Sequence, residues 1–195
     1  TIGDAYYRFR DYDRAIFCLR KAVRERSLNF YDRSNLRARD VLGASYRALG
    51  NLDESDYWYR SMLESPDSVK YRPMYDCIAL AGLARNLSMR GDYAAALPLF
   101  RQALPVAVAE GDNTFASGIT VGMGEAYLAL DDLDSTRLMI DSPRVFMNRW
   151  AYSTTHRYRN LYPLMSTYYA ARGNQAPART YLASSLHSAG NCEKE

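Results

Sequence analysis

Two histidines and three cysteines are the side chains here best suited to metal binding, nucleophilic attack or proton transfer, and the chain does not bring them together in sequence. His156 and His187 are isolated, and no cysteine or carboxylate stands at metal-ligand spacing from either. Cys18, Cys77 and Cys192 are odd in number and far apart, which matches neither a zinc motif nor a disulfide framework; they read as buried thiols. There is no phosphate-cradling glycine loop, and scattered Ser and Asp imply no triad, because a triad is assembled in space. The sequence therefore predicts a non-enzyme with no catalytic residue, no cofactor and no metal site.

Arginine and tyrosine offer a different chemistry. Arginine forks grip carboxylates and phosphates, and tyrosine gives a rigid apolar contact with a polar tip or a platform for a base. Whether they serve recognition depends on the elements that carry them.

Those elements repeat. Ala44 to Met62, ASYRALGNLDESDYWYRSM, begins as an amphipathic helix, breaks at Gly50-Asn51 and resumes as a second helix. Glycine can take the left-handed conformation that ends a helix, and the Asn side chain can cap the next one. The same punctuation recurs at Asp11, Asn51, Asp92, Asp132 and Asn174, spaced 40, 41, 40 and 42 residues apart. Eight residues before each cap stands a small side chain: Gly3, Gly43, Ala84, Gly124 or Ser166. Three residues after that comes a bulky one, Tyr6, Tyr46, Leu87, Tyr127 or Tyr169, and directly before it an apolar one, Ile2, Leu42, Leu83, Met123 or Met165. In the second helix a small residue (Ala15, Ser55, Ala96, Thr136, Ala178) precedes a large one (Leu19, Tyr59, Phe100, Ile140, Leu182) by four, which is one helix face.

With five copies of this small-and-large pattern, the chain resembles the tetratricopeptide-repeat family over nearly its whole length. The resemblance implies an all-α, right-handed superhelical solenoid of about five helical hairpins, with repeats at about 1–27, 28–68, 69–109, 110–148 and 149–190 in a single domain. Arg10 and Asp131 replace the turn glycine in the first and fourth copies, and neither Arg39 nor Ala79 supplies the aromatic that opens the family motif. The period exceeds the family's usual 34 residues. In that it is similar to the long-helix repeats of bacterial regulators and eukaryotic scaffold proteins.

Composition agrees: 48% hydrophobic and 24% charged residues suit a packed helical chain. No run has the roughly 18 apolar residues of a membrane span. Thr1 falls inside a repeat helix, so the chain is expected to be a segment of a longer protein, in a cytoplasmic or periplasmic setting left open. Net charge is only +3, yet the first quarter is basic (Arg8, Arg10, Arg14, Arg20, Lys21 and Arg24 among others) and the fourth repeat acidic (Glu125, Asp131, Asp132, Asp134, Asp141).

Along the chain, a polar connection is expected at about Ser27 to Asn35, a stop at Ser65-Pro66-Asp67, and a slight kink at Pro98. The second helix of the fourth copy is expected to be short, ended by Asp141-Ser142-Pro143. Arg144 to Arg159 reads as a long loop or an offset helix, and the tail after Gly190 as linker.

Most tyrosines fall at repeat packing positions, so nucleic acid is not the expected partner. The resemblance instead implies a concave groove lined by the first helices and filled by a protein or peptide. Carried onto this sequence, its exposed face holds Asp4, Tyr7 and Arg8; Asp40 and Arg47; Arg85 and Ser88; Glu125 and Leu128; and Thr167, joined by Arg37 one turn before Asp40. The setting it implies is the sensory or regulatory segment of a bacterial sensor kinase or transcription regulator. The alternative is a free-standing adaptor, with self-association through its terminal repeats.

Overall fold

The computed structural model describes residues 2–24, 32–64, 72–148 and 161–190, and side chains over 2–24, 34–64, 72–142 and 161–187. Among the described residues all regular structure is helical: α1 (Ile2–Arg8), α2 (Tyr12–Arg24), α3 (Asp32–Ala48), α4 (Leu52–Leu63), α5 (Arg72–Met89), α6 (Tyr93–Ala109), α7 (Asn113–Ala129), α8 (Leu133–Asn148), α9 (Leu161–Ala171) and α10 (Gln175–Gly190). No described helix is long and apolar enough to cross a membrane. Spatially the chain divides into two compact units, Thr1–Val106 and Ala107–Glu195.

Local rules set the hairpin turns. At each one a residue takes positive φ: Arg10 at 59°, Gly50 at 78°, Gly91 at 86°, Asp131 at 60° and Gly173 at 75°. The next N–H then donates five residues back, from Asp11 to Tyr6, Asn51 to Tyr46, Asp92 to Leu87, Asp132 to Tyr127 and Asn174 to Tyr169, at 2.8–2.9 Å. This double closure satisfies the last carbonyls of the first helix. The capping side chains follow at once. Asp11, Asn51, Asp92 and Asp132 accept from the N–H three residues on. A sixth such turn, Gly111 with φ 72° and Asp112 capping Phe115 N–H at 2.9 Å, joins α6 to α7.

Within the first unit, small residues receive large ones from facing helices. A Cβ added at Gly3 would meet Leu19 Cγ at 2.4 Å. The Tyr59 ring lies between Gly43 and Gly82, where an added Cβ would come within 2.8 and 2.5 Å of it. Ala15, Ser55 and Ala96 are buried, as are Leu19, Tyr59 and Phe100. Two clusters result: Leu19, Ala38, Val41, Leu42, Tyr46 and Trp58 beneath the first two hairpins, and Leu36, Tyr59, Met62, Tyr75, Ala79 and Leu83 beneath the second and third. A buried polar network ties α4 to α5. Asn86 donates to Asp56 Oδ1 (2.7 Å) and Ser55 Oγ (2.8 Å), and Arg90 donates to Asp56 Oδ2 (2.8 Å).

The second unit repeats the design. An added Cβ at Gly124 would lie 2.6 Å from Leu164, and Val121, Ile140, Leu161, Leu164, Met165 and Tyr168 form its core. Half-buried Tyr181 stacks between Tyr169 (5.6 Å, 12°) and Tyr162 (6.0 Å, 29°).

Several expectations are corrected. Helix α8 is not short: it continues through Pro143 to Asn148, because a proline forfeits one ladder bond without ending a helix that its other bonds still hold. Helix α3 begins at Asp32, before the expected end of the polar connection. Ile2 (71% exposed) and Leu182 (51%) hold core positions of the pattern yet lie outside the core. Cys77 is buried and its thiol donates to the Ala103 carbonyl, whereas Cys18 is only half-buried. His187 is exposed in the last turn of α10. Residues 149–160, with Trp150 and His156, the connections 25–31 and 65–71, and Cys192 lie outside the described residues.

Candidate functional site

In the first unit the opening helices α1, α3 and α5 pack side by side. These three helices carry eight of the expected groove residues. Arg37 on α3 donates from Nε and Nη2 to Asp4 Oδ1 on α1 at 3.2 and 3.1 Å, and from Nη1 to Asp40 Oδ2 at 2.7 Å. Arg47, two turns beyond Asp40, donates to the Tyr59 hydroxyl at 3.0 Å and lies 5.5 Å from the centre of its ring. Arg47 and Asp40 also act electrostatically on Tyr7, and Arg85 acts on Tyr59.

The electrostatics follow from burial. Burial pushes the Asp40 carboxyl above its ordinary range, and the neighbouring Arg37 and Arg47 guanidiniums only partly pull it back. Burial likewise raises the Tyr7 phenol, against Arg47. For Tyr59 the rise reaches about 12. The face thus combines half-buried Arg47, Arg85 and Tyr7 with a more exposed Arg37 that Asp4 and Asp40 hold. Desolvated donors of this kind bind an incoming carboxylate more strongly than exposed ones do.

The remaining expected residues differ in their commitments. Arg8 is exposed in the last turn of α1, and Arg85 is half-buried on α5. The Ser88 hydroxyl donates to the Ala84 carbonyl of its own helix. In the second unit Glu125 is exposed, Leu128 packs against the core around Val121 and Ile140, and the exposed Thr167 donates to the Pro163 carbonyl. Sequence reasoning gave Tyr59 a packing role and missed its hydroxyl as the acceptor for Arg47. It also missed Tyr75, which acts electrostatically on Arg37. The pairing of Arg37 with Asp4 spans two hairpins, and no local pattern signals it.

Two family models described as tetratricopeptide repeat match the sequence, at residues 1–27 and 78–109, which are the first hairpin and most of the third. The chain carries tetratricopeptide repeats. None of the curated proteins matches its sequence. Solved structures share its fold at low identity. BtubC (BKLC) from P. vanneervenii superposes with a TM-score of 0.73 at 13% identity, over 99% of this chain and 79% of that one. A putative kinesin light chain from Podosopora anserina, with nearly identical TPR-like repeats, gives 0.62 at 14%, over 100% and 94%. The apo quorum sensor NprR from B. thuringiensis gives 0.59 at 13%, over 89% and 59%. The tetratricopeptide hairpins make this chain an all-α helical-repeat protein and a protein–protein interaction module.

Proposed function

We propose that the face of the first helices is a concave groove that binds a protein or peptide ligand without catalysis, and that a ligand carboxylate is received by Arg47 and Arg85 beside Tyr7. The observation that carries this is the oriented arginine set: Arg47 is braced by the Tyr59 hydroxyl, and Arg37 is held by Asp4 and Asp40. Guanidiniums fixed before binding lose little entropy when a ligand arrives. Arg8 and Ser88 flank the same face, and Glu125, Leu128 and Thr167 mark the corresponding face of the second unit.

The setting we propose is the sensory or regulatory segment of a larger bacterial signalling protein, a reading supported by the fold likeness to a quorum sensor. A second reading, an adaptor that self-associates through its terminal repeats, is favoured by exposed Ile2 on α1 and exposed Leu182 and Leu186 on α10. A displayed random-peptide library panned on the chain tests the groove. Enriched sequences should carry an acidic group or a free carboxyl terminus, and Arg47→Ala/Arg85→Ala should lose them. Peptides held equally by that double variant would refute the groove. Sedimentation with and without the best peptide then separates sensor from adaptor, since only a sensor should change shape or oligomeric state.

A further inference from the structure

The outward faces of α2 and α4 carry an acidic residue, an aromatic ring and an arginine at the same three repeat positions, and differ at the fourth, Arg24 against Glu64. Asp13, Phe17, Arg20 and Arg24 lie on one stripe of α2, and Asp53, Tyr57, Arg60 and Glu64 stand 40 residues further on. Phe17 is 72% exposed and Tyr57 is 60% exposed. Their chain neighbours Ile16 and Trp58 turn inward and share the cluster around Leu19 and Tyr46. One core therefore fixes both helices; Phe17 stands outside it, and Tyr57 touches it only edge-on through Trp58 (5.2 Å, 80°). The hairpin core thus leaves a large ring uncovered at the same repeat position in both copies.

The α2 stripe is basic and partly prearranged, whereas the α4 stripe sets Arg60 between Asp53 and Glu64. The α2 stripe borders a cavity of about 590 Å³ lined by Asp13, Ile16, Phe17, Arg20, Lys21 and Arg24. Arg20 donates to the Tyr46 hydroxyl at 2.9 Å, which orients the guanidinium without neutralising it. Arg60 is 3.9 Å from Asp56, a carboxylate already bonded by Arg90 and Asn86. Asp53 is likewise held by Arg90, at 2.8 Å. Exposed rings beside arginines are the residue types enriched in interface hot spots, and a row of side chains at helical spacing on one helix suits packing against another helix.

We propose that this outer face of the first two hairpins docks an acidic amphipathic helix of a protein partner, its carboxylates on Arg20, Arg24 and Arg60 and its apolar side chains on Phe17 and Tyr57. This surface is separate from the first-helix groove and does not depend on it. The probe is a fluorescein-labelled helical peptide with glutamates flanking a leucine seam, read by anisotropy beside its lysine-for-glutamate counterpart.

The acidic peptide should bind and the lysine peptide should not. Phe17→Ala/Tyr57→Ala should weaken binding at least tenfold, Arg20→Glu/Arg24→Glu should abolish it, and Arg47→Ala/Arg85→Ala should leave it unchanged. The ring pair carries the test alone if circular dichroism shows that the arginine variant loses helix. No binding of the acidic peptide to the wild type overturns the proposal, as does loss of binding only in the groove variant. Self-association of the wild type that Phe17→Ala/Tyr57→Ala dissolves would assign the face to a second copy of the chain and also overturn it.

Discussion

Arg37 of α3 holds Asp4 of α1 through two donors, Nε at 3.2 Å and Nη2 at 3.1 Å, while its third nitrogen holds Asp40 at 2.7 Å. One guanidinium thus joins the first helices of two successive hairpins and compensates the most buried carboxylate of the face. Arg37→Ala should destabilise the chain by about 1–2 kcal/mol in urea unfolding, less than for a fully buried pair because the arginine is 44% exposed. The deficit should depend on pH. The folded pKa of Asp40 is raised above 3.8, so folding favours its protonated form; that contribution is full below 3.8 and is lost as pH rises through the folded pKa. The gap between variant and wild type should therefore be widest at neutral pH and should narrow on acidification.

Gly82→Ala should cost more than most surface substitutions. Its new Cβ would sit 2.5 Å from the Tyr59 ring, which is buried and also confined by Gly43. Overpacking of this kind costs about 1–3 kcal/mol. Adding Tyr59→Leu should recover part of the loss, a coupling that a double-mutant cycle in urea would measure.

Tyr59 should dominate the alkaline limb of stability. Its folded pKa is about 12 against an ordinary 10.0, so its stabilising contribution is complete below pH 10 and is lost as pH rises from 10 to 12. Over that window the unfolded chain releases the proton first, and stability should fall by about 2–3 kcal/mol. Tyr59→Phe keeps the ring, removes this fall and loses the bond from Arg47, worth about 1 kcal/mol at neutral pH. Unfolding of both proteins between pH 9 and 12 checks it.

Arg10→Gly should raise stability by about 0.5–1 kcal/mol, because an L-residue side chain opposes the left-handed conformation found there, at φ 59°. Asp131→Gly, at φ 60°, should gain less, since aspartate tolerates that region better. Thermal melts of the two variants decide the ranking.

What was legible in the sequence was local. Caps, turns and small-to-large pairs lie within a dozen residues of one another, so Asn51, Ser55 and Tyr59 betray their roles by spacing alone. Even Arg10 and Asp131, which lack the expected glycine, fold as the pattern requires, because the backbone closure from Asp11 to Tyr6 and from Asp132 to Tyr127 needs a left-handed residue whatever its type. Pro143 misled because the rule that proline opposes helix describes an intrinsic preference, and α8 keeps its other ladder bonds. Ile2 and Leu182 misled because a core position is buried only where a facing helix covers it. For the candidate site, the family resemblance assigned Arg37, Asp40, Arg47 and Arg85 to one face. Their partners come from other hairpins, as Asp4 does for Arg37, or from a second helix, as Tyr59 does for Arg47. Those distances are set by packing, which a single sequence does not display.

In the proposed groove, oriented arginines on the first-helix face receive a ligand carboxylate. Titrating the best library-selected peptide into wild type, Arg47→Ala and Arg47→Lys, by calorimetry at low and moderate salt, tests it most directly. We expect Arg47→Ala to weaken binding at least tenfold, Arg47→Lys to restore it only in part because a lysine cannot offer a planar fork, and amidating the peptide's acidic group to match the alanine loss. Equal affinity of all three proteins for the acidic and amidated peptides would rule out carboxylate capture by these arginines.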